Sequence, residues 1–183
     1  MEKNNELSKR NIKIQDLVYM SLMSALTLLA ASFITIPSYN GVIHIGDSIV
    51  FISVVVLGRK KGAISSALGM FLFDILHGYT YWAPFTLIIK GIMALIAGYL
   101  WEKGESKSII QGGVAFSMSG LFMILAYFLS GALIKLLFSG KAITFTQALI
   151  VSSYDIFGNV LQVVVGIIIA MPIIKGIEAY RKS

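Results

Sequence analysis

Residues 73–99 read FDILHGYTYWAPFTLIIKGIMALIAGY, and the fold turns on how this stretch is understood. It is mostly apolar enough to live in lipid, yet it carries Asp74, His77 and Lys90. A transmembrane helix needs ~20 mostly apolar residues. Pro84 to Leu100 supplies such a run, entered through Trp82, an interfacial aromatic, and a proline welcome in a first turn. Ala63 to Leu76 supplies the run before it, and the aromatic loop HGYTYWAP links the two. The stretch therefore reads as two membrane helices joined outside the lipid.

Other runs extend this reading in both directions. Leu17 to Ile36 is a first span, ended by Pro37 and the loop-like SYNGVIHIGD. Ile49 to Leu57 is short, and extending it back to Ile43 makes a near-span that includes Asp47. A re-entrant hairpin here would bury Arg59, Lys60 and Lys61 at the hydrocarbon midplane, costing a few kcal/mol each. A full crossing leaves them in water. Ile109 to Leu137 is expected to include a turn outside the lipid, and Ala148 to Ile174 forms the last span, with Pro172 near its end. The expectation is an all-α polytopic membrane protein of six transmembrane helices. It is one domain over residues 1–183, with tails at 1–13 and 176–183.

Composition agrees. Only 13% of residues are charged and 57% are hydrophobic, against ~25% charged in a soluble domain. Of 15 Lys and Arg residues, twelve fall on the side of the N-terminus in the six-span layout. Lys135 and Lys141 fall opposite, and Lys90 within a span. The positive-inside rule then places both termini in the cytoplasm. The net charge of +6 reads as basic loops facing lipid and cytoplasm, not nucleic acid. Cysteine is absent, so there is no disulfide framework or thiolate metal site. The long first run offers no convincing signal-peptide cleavage site.

No catalytic constellation stands out. The phosphate loop G-x-x-x-x-G-K-[ST] is missing, and SGKA at Ser139 lacks both its upstream glycine and its hydroxyl. His44 and His77 fall in separate loops without metal-ligand spacing. Polar groups inside the spans remain, and each is costly there. Asp155, Asn159 and Gln162 stand at i, i+4 and i+7 and share a helical face flanked by Gly158 and Gly166. Such residues can be interhelical glue, but three in register favour a binding face. Lys90 and Asp74 lie at similar depth, so a Lys90–Asp74 or Lys90–Asp155 pair would neutralise charge, unless Lys90 meets ligand directly. The loops carrying Asn40, His44, Tyr79, Tyr81 and Trp82 reach the same side. Their aromatics are either an interface belt or a stacking surface for a flat heteroaromatic ligand. Ser21 with Ala25, and Thr27 with Ala31, give the first helix small-xxx-small faces for close packing.

Together, HIGDSIVFISVVVLGRKKGAISSALGMFLFDILHGY and YWAPFTLIIKGIMALIAG, running nearly unbroken from His44 to Gly98, resemble the substrate-binding (S) subunits of energy-coupling factor (ECF) vitamin transporters. The pattern is most similar to the riboflavin-type subfamily, which includes subunits for pyridoxine-like and hydroxymethylpyrimidine-like substrates. The resemblance implies a bacterial plasma-membrane importer subunit that is not an enzyme. It implies capture of a vitamin near the outer face and union with a transmembrane coupling (T) protein and two cytoplasmic ATPases. ATP is then used by the partners, and no cofactor belongs to this chain. The implied ligand residues are Asn40, His44, Trp82, Lys90, Tyr154, Asp155, Asn159 and Gln162, with Asp74 orienting Lys90. Docking to the coupling protein maps to Ser21 and Ala25, where serine replaces the first alanine of an A-x-x-x-A-like motif. The dense polar face favours a small polar ring, pyridoxine or hydroxymethylpyrimidine, over riboflavin. Two other classes stay open: a proton-coupled carrier using Asp74, Lys90 and Asp155, or a small membrane scaffold.

Overall fold

A computed structural model describes residues 13–39, 41–138 and 143–183. Helix α1 spans Ile14–Phe33, strands β1 and β2 span Thr35–Pro37 and Val42–His44, and α2 spans Gly46–Leu57. Then follow α3 (Arg59–Leu76), α4 (Ala83–Lys103), α5 (Ile109–Phe138), α6 (Phe145–Ser153) and α7 (Ile156–Lys182).

The first expected span ends early, at Phe33. Ile34, Thr35 and Ile36 are β-branched and precede a proline, which disfavours continuing a helix. They enter an antiparallel hairpin instead, with Thr35 opposite His44 and Pro37 opposite Val42. Helix α2 has 12 residues, about 18 Å by helical rise, too short to cross a bilayer alone. It is buried along most of its length. Phe51 stacks on Phe116 at 4.5 Å between centroids, and Phe116 stacks on Trp101 at 5.9 Å. Gly58, with φ of 79°, reverses the chain into α3. Gly62 then admits the backbone of α2: a Cβ there would sit 2.6 Å from Val54 Cα.

Helix α3 starts at Arg59, so the cations of GRKKG form its first turn. Cations oppose a helix N-terminus, and Glu102 offsets this. Its Oε1 accepts from the Arg59 backbone N–H at 3.0 Å, and its Oε2 pairs with Arg59 Nε at 3.3 Å.

The fifth segment has no turn. Helix α5 is continuous over 30 residues, about 45 Å. No proline interrupts it, and apolar surroundings penalise any backbone group left without an internal hydrogen bond. The last segment breaks where continuity was expected, at Tyr154–Asp155, between α6 and α7.

Among the described residues, four units are long and apolar enough to cross a membrane: α1, α4, α5 and the α6–α7 pair over Phe145–Arg181. Helices α2 and α3 complete this all-α membrane bundle. At one end the cations converge. Lys61 pairs with Asp16 at 2.6 Å, Lys175 donates to the Lys107 carbonyl, and Arg181 donates to the carbonyls of Val55 and Val56 at the end of α2. The hairpin, the 77–82 turn and the α6–α7 break lie at the other end.

Candidate ligand-binding site

The non-basic end of the bundle holds a cavity of about 50 Å³ that opens to solvent. On the same measure a water occupies ~10–15 Å³, so the space is modest. Four parts of the chain build it. The hairpin contributes Ser38 and the run from Gly41 to His44, and the α3–α4 turn contributes Asp74, Tyr79, Trp82 and Thr86. Helix α5 adds Tyr127, and the start of α7 adds Asp155, Gly158, Asn159 and Gln162.

The hairpin is fastened over this space. Ser38 Oγ donates to Asp155 Oδ1 at 2.8 Å, and Gln162 Nε2 donates to the Val42 carbonyl at 3.1 Å. Tyr39 meets Tyr154 edge to face at 5.0 Å. Gly158 lets the hairpin lie close to α7, since a Cβ would fall 3.0 Å from Ile43 Cγ1. Gly166 admits α2 in the same way one layer down, where a Cβ would fall 3.0 Å from that of Asp47.

His44 is 5% exposed and meets Phe73 edge to face at 5.1 Å. Burial, then the positive charge of Lys90, pushes its imidazole down to about 4. Trp82 lies 5.8 Å from Tyr127 between ring centroids. Tyr127 Oη and Thr86 Oγ1 are 3.1 Å apart, with the phenol donating, and Thr86 in turn hydrogen-bonds Asp74.

His44, Trp82, Asp155, Asn159 and Gln162 therefore line one cavity. The α6–α7 break makes Asp155 the residue before α7, so the polar stripe opens that helix. Two of the expected residues lie elsewhere. Tyr154 faces outward, 56% exposed, and reaches the hairpin through Tyr39. Lys90 is 1% exposed and sits beneath the wall, paired with Asp47 of α2 and 5.5 Å from the Tyr127 ring centroid. This corrects the Lys90–Asp74 and Lys90–Asp155 pairings. Asp47 reaches Lys90 directly from the buried central helix, whereas Asp74 turns to Thr86 and the cavity. Asn40 lies outside the described residues. Ser21 and Ala25 occupy an exposed face of α1.

Ser38, Thr86 and Tyr127 were not among the expected site residues, and Tyr79, read as a belt or stacking aromatic, lines the cavity with them. Thr86 stands four residues before Lys90, so one helical face carries both, and that spacing was a usable signal. Tyr127 was hidden in an apolar run. Among the described residues no cluster of three or more His, Cys, Asp or Glu could hold a metal.

The profile of the "ECF-type riboflavin transporter, S component" family matches residues 11–179. The chain belongs to that family of ECF S components. One relative is the thiamine precursor transporter HmpT of Lactococcus lactis, 26% identical over 166 residues, covering 87% of this chain and 86% of that one. Another is an uncharacterized Pyrococcus woesei protein from the gap 3′ region, 34% identical over 96 residues. That match covers 51% of this chain and 62% of the relative's length. The family is one of transporter components, and membership together with the apolar helices makes this a multi-pass membrane protein.

Proposed function

We propose that this chain is the specificity subunit of an ECF vitamin importer. It takes a small, polar, ring-shaped vitamin or precursor, of hydroxymethylpyrimidine or pyridoxine type, into the cavity under the hairpin. The observation that carries this is the cavity lining, in which aromatic rings and hydrogen-bonding groups meet at the end opposite the cations. A membrane scaffold has no use for such a wall, whereas a flat heteroaromatic ligand needs both its faces and its edge recognised. The modest enclosed volume favours one ring over the three of a flavin, and a relative named for a thiamine precursor supports the same choice. Riboflavin stays the second reading, because the family carries its name.

Delivery requires partners, since ATP chemistry lies outside this chain. The exposed Ser21–Ala25 face of α1 offers small residues on which a coupling-protein helix can pack. The test is affinity purification of the tagged subunit from its native membrane. The expected result is co-isolation of one coupling protein and two ATPases, with uptake of labelled hydroxymethylpyrimidine or pyridoxine that depends on all four chains. A subunit that isolates alone and transports in proteoliposomes by itself would refute the importer reading.

A further inference from the structure

Among the described residues, two members of the cavity wall keep a buried acceptor oxygen without a hydrogen-bond partner: Asp74 Oδ2 and Gln162 Oε1. Each residue is 5% exposed. A buried polar atom left unpaired is costly, the more so for a charged group. The nearby cation does not serve Asp74, because Lys90 is held by Asp47 one layer below. The amide of Gln162 is likewise committed on its other side, its N–H₂ donating to the Val42 carbonyl at 3.1 Å and toward Asn159 Oδ1 at 3.4 Å. These two oxygens come from different helices, α3 and α7, and both residues line the cavity.

We propose that Asp74 and Gln162 are the specificity-determining acceptors of the site, and that they select a nitrogen heteroaromatic carrying hydrogen-bond donors on two edges. An exocyclic ring amine meets the Asp74 carboxylate, and a hydroxymethyl or second N–H group meets Gln162 Oε1. Trp82, with Tyr127 beside it, supplies the aromatic wall against the ring. Rings whose edges are mainly carbonyl oxygens and bare ring nitrogens bring acceptor to acceptor and are rejected. A flavin edge, with one N–H among several acceptors, belongs to that rejected class. Asp74 thus reads ligand instead of orienting Lys90. This inference rests on the cavity being the vitamin site.

The test uses the full-length subunit, stripped of ligand and returned to nanodiscs. Two probes of equal shape are compared: a hydroxymethyl-bearing aminopyrimidine, and its oxo counterpart with a ring N–H and a carbonyl replacing the amine. Wild type is expected to prefer the amino ring by on the order of 100-fold, the upper part of the range that one unpaired buried polar group can cost. Asp74→Asn keeps the side-chain shape but adds a donor, so it is expected to erase or reverse that preference. Gln162→Leu is expected to weaken the amino ring and gain nothing for the oxo ring. Thermal melts confirm that each variant is folded. Equal binding of the two rings, or an unaltered preference in folded Asp74→Asn, overturns the donor assignment and leaves the vitamin-subunit reading intact. Preference for riboflavin over both rings overturns the assignment and promotes the second reading. Co-isolation of the coupling protein and ATPases is measured on the same preparation, and its failure counts against the importer reading separately.

Discussion

Lys90 and Asp47 carry opposite charges in a dry place, and each is there only because of the other. Lys90 also lies 2.9 Å from Met123 Sδ, so little around it besides Asp47 can compensate its charge. Removing one partner of a buried pair typically costs ~3–5 kcal/mol, while replacing both with apolar groups of similar size is often neutral. Lys90→Met is therefore expected to lower the melting temperature sharply, and Asp47→Leu with Lys90→Met to recover most of it. A double variant as unstable as the single one would contradict the pairing. His44 gives the second residue-scale expectation. Its folded value of about 4 lies below the ordinary 6.5, so it folds neutral and the unfolded chain takes up the proton first. It contributes stability above pH ~6.5 that is lost as pH falls toward ~4, up to roughly 3 kcal/mol. A melting-temperature profile should fall across that window, and His44→Gln should flatten it.

Elements explain what residues alone do not. Among the described contacts that hold the hairpin over the cavity are the Ser38–Asp155 hydrogen bond, Gln162 on the Val42 carbonyl, the Tyr39–Tyr154 ring contact and the bare Gly158 surface under Ile43. Loosening them is expected to change how fast ligand exchanges under the hairpin. Gly158→Val is expected to prise the hairpin off α7 and speed ligand release about tenfold or more, measured by filter binding with cold chase. Unchanged release would show that ligand enters by another route. Much of this scale was legible in the sequence. The polar stripe from Asp155 to Gln162 announced itself through helical spacing, and Trp82–Pro84 marked the start of α4. The hairpin was not legible, because three-residue strands leave too short a pattern to separate from loop. The α6–α7 break was hidden for another reason. SSYDIFG carries no proline, and only the partners of Asp155 and Tyr154 on the hairpin reveal why the helix stops there. Asp47 escaped because its partner lies 43 positions away, and sequence spacing shows only near neighbours.

For the whole molecule, charge and cavity lie at opposite ends. That polarity is a property of the bundle, since its cations come from Lys13 ahead of α1, from α3, α4 and α7, and from the loop before α5. If the basic end faces the cytoplasm, as the positive-inside rule holds, the cavity opens outward and suits uptake. The chain has 0 cysteines, which makes the orientation directly measurable. Single substitutions Lys60→Cys and Tyr81→Cys should respond oppositely to a membrane-impermeant maleimide. Tyr81→Cys is expected to label in intact cells, and Lys60→Cys only after permeabilisation. The reverse pattern would turn the cavity inward and remove the basis for capture from outside.

The central claim is that the cavity under the hairpin holds a vitamin. It is met most directly by mass spectrometry of small molecules released from the detergent-purified subunit, alongside Asn159→Ala and Gln162→Leu. One small ring vitamin or precursor is expected in near-stoichiometric amount from wild type and strongly depleted from both variants. A folded wild-type subunit that releases no vitamin, or variants that retain it in full, would contradict the account.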